Sequence, residues 1–182
     1  MEKDFAPDSL DIQAFARSET TLEGHEPLAR YARLVQDITG EPDGRTVNWK
    51  AVGEWREPAG SSAQPWLHLS GECSLPMTCQ RCLTPVDVRV AFETDFRFVA
   101  DEHIAEAEDD DSEEDLLVSR RDFPLNELIE DELLLAMPPV SLHDVCPVEL
   151  PTSVEDADFA AAEEERGHPF AILAGLNKGK LG

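Results

Sequence analysis

Hydrophobic positions along the chain change period several times, and the changes mark out its elements. Residues 1–17 read as a weakly held N-terminal lead-in in which Leu10, Ile12 and Phe15 are able to pack. The Thr-rich run Glu19-Thr20-Thr21-Leu22-Glu23-Gly24 predicts an edge strand. Leu28, Tyr31, Ala32, Val35 and Ile38 then recur at helical spacing, with Pro27 in the first turn and Gly40 just past the end. At Val47 the period drops to two. Val47, Trp49, Ala51 and Trp55 share one face of a strand expected over 46–56.

A Pro- and Gly-rich loop over 57–65 leads into Leu67, Leu69, Gly71, Cys73 and Leu75, a second alternating strand. Val86, Val88, Val90, Phe92, Phe96 and Phe98 follow on one face of a third, with Asp87, Arg89, Glu93, Asp95 and Arg97 on the other. Such alternation predicts a half-buried antiparallel strand. Residues 101–115 break it and read as a solvated acidic loop, after which Leu116-Leu117-Val118 resumes the sheet. Asp122-Phe123-Pro124 introduces a helix with Leu125, Leu128, Ile129, Leu133 and Ala136 on one side, and Pro138-Pro139 ends it. A helix over 156–166 and an amphipathic segment over 169–176 complete the chain. The whole predicts an α+β fold: an antiparallel sheet, open or barrel-like, with a few flanking helices. The expected organisation is a lead-in (1–17), a core domain (18–150) and an acidic helix with an amphipathic tail (151–182).

Composition changes this picture through charge. The 182 residues carry 39 Asp+Glu against 15 Lys+Arg, a net charge of −24. Phosphate backbones repel such a chain, so a broad electrostatic grip on nucleic acid is disfavoured without a local basic patch. The charge is uneven. Ten carboxylates lie in 101–115 and six in 155–165, with no Lys or Arg in either stretch. Residues this apolar (41% hydrophobic) suffice for a core, yet no run approaches the roughly 20 residues of a membrane span. The N-terminus Met-Glu-Lys-Asp-Phe lacks the apolar core of a signal peptide, which predicts a soluble, cytoplasmic protein with reduced thiols.

Most of the candidate chemistry sits in Cys79-Gln80-Arg81-Cys82, between two predicted strands. Two cysteines at this spacing form half of a zinc knuckle, because the turn between them aims both thiolates inward. His143 and Cys146 supply the second half at workable spacing. Two other readings stay open: a plain hairpin with Cys146 as a buried small side chain, and a redox pair, although no thioredoxin-like βαβ context surrounds it. Cys73 continues the strand alternation and reads as core. No Gly-rich phosphate loop, HExxH or G-x-S-x-G motif occurs, and no small-molecule substrate is indicated. Glu130-Asp131-Glu132 reads as a solvated helix face. Trp49, Trp55 and Trp66 read as packing residues. Arg81, Arg89 and Arg97, eight residues apart, share one face and are candidate contacts to RNA or a partner, although interleaved acids favour cross-strand ion pairing. Lys178 and Lys180 add a small basic end.

Taken in order, the Cys-x-Arg-Cys hairpin, the long alternating strand, the acidic gap, Leu128 to Pro138 with its Glu-Asp-Glu triplet, His143 and Cys146, and Pro169-Phe170-Ala171 resemble the bacterial YceD family of large ribosomal RNA subunit accumulation proteins. The resemblance runs over roughly 20–176. It implies a non-enzymatic role in the synthesis, processing or stability of 23S ribosomal RNA, in the cytoplasm, with no catalytic residue carried over. Some members of that family carry more cysteines beside the second half, where this chain has His143 and Cys146. A chain this acidic would serve such a role in one of two ways. Its acidic tracts mimic phosphate and hold a basic ribosomal protein or assembly factor, or Arg81, Arg89 and Arg97 touch ribosomal RNA locally. A zinc- or thiol-dependent enzyme using Cys79 and Cys82 is the reading from a different class.

Overall fold

Four successive strands pair with their chain neighbours, and a fifth joins from the far side of an acidic excursion. The computed structural model describes residues 5–57 and 63–149. In chain order the elements are α1 (Ile12–Ser18), β1 (Thr21–Pro27), a 3-10 turn (Leu28–Arg30), α2 (Ala32–Asp37), β2 (Thr46–Arg56) and β3 (Gln64–Thr78). They continue with β4 (Pro85–Val99), α3 (Glu102–Glu108), a second 3-10 turn (Asp109–Asp111), β5 (Asp115–Val118) and α4 (Leu125–Leu135). The chain divides into two compact units, 1–146 and 147–182. All the named elements belong to the first. Of the second, only Pro147, Val148 and Glu149 are described, and they are exposed. The helix expected over 156–166 and the segment over 169–176 lie outside the described residues.

The sheet order is β1-β2-β3-β4-β5. The first three pairings are antiparallel, and β4 with β5 is parallel, in register Phe96↔Asp115 to Val99↔Val118. The α+β class therefore stands, with a mixed sheet in place of an antiparallel one and open edges at β1 and β5 in place of a barrel. The reason lies in 100–114: a parallel return needs a crossover of about a dozen residues or more, and this stretch supplies it. Residues 101–115 are accordingly no loop. Asp101 caps α3 by accepting from the Ile104 N–H at 3.1 Å, and Asp115 already belongs to β5.

The core face of the sheet carries Val47, Trp49, Ala51, Leu67, Leu69, Leu75, Val90, Phe96 and Phe98, all buried. The lead-in is part of this core. Asp11 caps α1, and Ile12 and Phe15 pack on the sheet, each worth about 1.5–3 kcal/mol relative to exposure. Gly53 permits that approach, since a Cβ there would lie 2.8 Å from the Phe15 ring.

The single helix expected from Leu28 is broken instead. Pro27 stays in β1 opposite Thr46, so the chain makes a 3-10 turn and α2 starts only at Ala32. Its start is fixed from outside. The Glu130 carboxylate of α4 accepts from the Arg33 N–H (2.7 Å) and the Leu34 N–H (3.3 Å), two donors a helix terminus leaves unpaired. It also accepts from Arg33 Nε at 2.9 Å, while Asp131 pairs with the same guanidinium and Glu132 takes the Thr94 hydroxyl at 2.7 Å. The triplet 130–132 is thus a docking face between α4, α2 and β4 rather than a solvated one, and Glu130 is buried.

Candidate metal centre

The turn between β3 and β4 spans Cys79 to Thr84. Cys79 N–H donates to the Thr84 carbonyl at 2.9 Å, and Leu83 N–H donates to the Cys79 carbonyl at 2.8 Å. Closing so short a turn sends Leu83 into the left-handed region at φ +59°. Inside it, the backbone N–H groups of Arg81 and Cys82 point at the Cys79 sulfur, and the Thr84 hydroxyl lies 3.1 Å from the Cys82 sulfur.

The loop after α4 folds back onto this tip. Gln80 N–H donates to the Ser141 carbonyl at 2.8 Å, and the buried Ser141 hydroxyl donates to the Met77 sulfur at 3.1 Å. Two residues further on, His143 N–H donates to Cys79 Sγ at 3.4 Å, and His143 Nδ1 lies 3.4 Å from Cys82 Sγ. Cys146 completes the group. One ligand atom each from Cys79, Cys82, His143 and Cys146 lies within 4.8 Å of all the others.

This donor set fits a tetrahedral ion of the zinc type, whose thiolates at about 2.3 Å stand roughly 3.8 Å apart. All four cysteines of the chain are free thiols. The protonation pattern suits ligation as well. Burial pushes the Cys79 thiol up, but backbone N–H groups from His143, Cys82 and Arg81 bring it down to about 5. The Thr84 hydroxyl lowers Cys82, and the hydrogen bond to Cys79 raises His143. Cys146 is raised by burial and by the neighbouring Cys82 and Cys79 sulfurs, because like charges held close together disfavour one another. Cys73 stands apart in the core, its thiol pushed by burial to about 11.

The three arginines do not converge. Arg81 is exposed at the turn. Arg89 pairs with Glu72 at 2.6 Å on the open sheet face. Arg97, read as an exposed residue in an ion pair or a candidate contact, is buried, and its carboxylate partners come from the acidic excursion. Its Nε meets Glu114 at 2.5 Å, and Nη1 meets Glu108 at 2.6 Å and Gln64 at 3.2 Å. Nη2 donates to Ser112 at 2.8 Å, so the guanidinium is consumed within the chain. Trp49 is buried over Gly24, while Arg17 and Arg56 cover the rings of Trp55 and Trp66 at 4.3 and 4.2 Å. Spacing alone did not point to Thr84 or Ser141. Their only sequence signal is position, two residues after Cys82 and two before His143.

Fold and site together define a small α+β protein in which a cysteine turn at a hairpin tip is clasped by a distant His/Cys loop. The sequence model of the large ribosomal RNA subunit accumulation protein YceD matches residues 67–177, more than half of the chain. The chain belongs to that family, and with it to the proteins named for the accumulation of large-subunit ribosomal RNA. No solved structure matches it. Among the described residues no helix is long and apolar enough to cross a membrane.

Proposed function

We propose that the protein supports the synthesis, processing or stability of 23S ribosomal RNA during large-subunit biogenesis in the cytoplasm, as a binding factor and not as a catalyst. The family match over 67–177 carries this reading, because it takes in the cysteine turn, β4, α4 and the clasping loop together. In this reading Cys79, Cys82, His143 and Cys146 hold one zinc ion that locks the loop to the hairpin. The convergence of all four side chains on one another supports a structural use of the thiols over a catalytic one.

The favoured ligand is a basic ribosomal protein or assembly factor rather than the RNA backbone. Arg97 and Arg89 are occupied by carboxylates, and the net charge of −24 attracts cationic partners. Within 101–115, Glu108 and Glu114 belong to the Arg97 network, which leaves eight other acids for a partner. The test is depletion in cells followed by the ratio of 23S to 16S ribosomal RNA, with complementation by wild type and Cys82→Ser. A fall in the ratio that wild type restores and Cys82→Ser does not is expected. An unchanged ratio on depletion would falsify the reading.

A further inference from the structure

The large apolar side chains that the described residues expose fall in two short segments, the hairpin tip and residues 135–148. The tip and residues 140–145 of the second segment border the four-residue cluster. Leu83 follows Cys82 and is 74% exposed; Val145 precedes Cys146 and is 85% exposed. Val140 and Leu142 flank Ser141, whose carbonyl and hydroxyl fasten the loop to the tip, and they too are exposed. The cluster therefore carries a rim of unburied Leu and Val on both halves.

Leu83 is the most informative of these. Its φ of +59° lies where glycine is at ease and a side chain is not. A leucine there strains the turn without burying itself in the core, so its apolar surface is of no use to the isolated fold. Such surface exposed around a rigid point marks an interaction site.

Charge selects the occupant. Asp144, beside Val145, and Glu127 on α4 are exposed, Arg81 is the exposed cation at the tip, and the chain as a whole carries a net charge of −24. A nucleic acid would meet repulsion and apolar side chains, and a second copy of this chain would bring the same sign.

We propose that the rim formed by Leu83, Val140, Leu142 and Val145 is the docking surface for a basic protein segment that presents apolar side chains. The proposal rests on the binding-factor reading above and adds to it where the partner sits. The cluster acts as a staple that holds the two halves of the rim in register. Apolar anchors supply the residence time, and the net negative charge of the chain steers the basic flanks.

The experiment uses purified full-length protein and an array of overlapping peptides covering the large-subunit ribosomal proteins, followed by anisotropy titration of the peptides that bind. Polylysine, a 23S ribosomal RNA transcript and the protein's own oligomeric state are the parallel arms. The variants are Leu83→Gly and Val145→Ser. Leu83→Gly suits the local φ, so its thermal midpoint is expected to equal or exceed that of wild type. The expected result is binding of basic, Leu- or Val-containing peptides, weakened at least tenfold by each variant while metal content is unchanged. The proposal is overturned if no peptide binds, if polylysine binds as well as the best peptide, or if the variants leave affinity intact. It is equally overturned if the variants act on RNA binding or on dimerisation instead. In cells, depletion that lowers 23S RNA and is fully rescued by the double variant sinks this inference alone, whereas depletion without effect sinks the reading beneath it.

Discussion

The β3–β4 ribbon is clasped at both ends, and the two clasps are built from opposite chemistries. Fifteen residues per strand give it a length of about 50 Å. At the turn, three cysteines and a histidine gather from two segments some sixty residues apart, around a space fit for a cation. At the other end the cation is built in. Arg97 is buried on β4, and the acidic excursion wraps it with Glu108, Glu114 and Ser112. In the proposed reading one end depends on an ion from outside; the other is complete within the chain. Stability at the turn should therefore vary with metal supply, and at the Arg97 end only with mutation or salt.

The largest expected effect tests the first half of that contrast. Cys79→Ser, or a strong chelator, is expected to remove stoichiometric zinc and about 4 kcal/mol of stability, the linkage term for an ion at a thousand times its Kd. Thermal melting with elemental analysis measures both. A wild-type protein that holds no zinc and melts alike with and without chelator breaks the comparison. In metal-free protein, pH reports on the same end. Cys79 is lowered from 9.0 to about 5, so its stabilising contribution is lost as pH falls towards 5 and grows as pH rises above it. His143 is raised from 6.5, so its contribution is full below 6.5 and declines above it. The difference in melting temperature between wild type and Cys79→Ser should climb from pH 5 to 6.5 and then level off. A difference that stays flat over that interval contradicts the thiolate–imidazolium pair.

Next in size is Arg97→Met. Removing one member of a buried charged network leaves Glu114 with no counter-charge, at a cost of about 3 kcal/mol. Glu108 is 45% exposed and regains water, which keeps the figure at the low end of such losses. Urea unfolding is the measurement, and chelator should make no difference to the size of the loss. Amide exchange should show α3 opening first. A loss below about 0.5 kcal/mol, the level of an ordinary surface change, would mean that the acidic excursion is held by something else.

The two clasps also differ in how far they can be read from sequence. Cys-x-x-Cys is legible because few spacings aim two thiolates at one point, and His143 with Cys146 completes the donor count. The Arg97 clasp is hidden by abundance: among ten carboxylates in 101–115, nothing local singles out Glu108 and Glu114. Strand β2 falls on its expected bounds, 46–56, because alternation is a property of the strand itself. Orientation is not such a property, so the four residues of β5 announce a strand but not that it runs parallel. The start of α2 is equally nonlocal, since its cap comes from Glu130, 97 residues away.

Glu130→Gln tests that nonlocal cap and should cost about 1–2 kcal/mol. The amide keeps one acceptor for the Arg33 and Leu34 N–H groups but loses the charge facing a half-exposed guanidinium. Equilibrium unfolding reads the loss, and zinc content should not change. If metal affinity falls along with stability, α4 couples to the turn and the two ends are not independent.

The smallest effect gives the sharpest test of what holds the acidic excursion. Asp101→Ala removes the cap of α3, an exposed interaction worth about 0.5–1 kcal/mol. Glu108, the last residue of α3, and the following turn with Ser112 grip Arg97, so the cap and the guanidinium order the same segment. In a double-mutant cycle Asp101→Ala should cost its full amount in wild type and almost nothing in Arg97→Met, because the helix it caps has already opened. The coupling should vanish when the cycle is repeated between Asp101→Ala and Cys79→Ser, whose clasp lies at the other end of the ribbon. Full additivity in the first cycle would show that α3 folds without its arginine, and the Arg97 end would then be a set of surface pairs rather than a clasp.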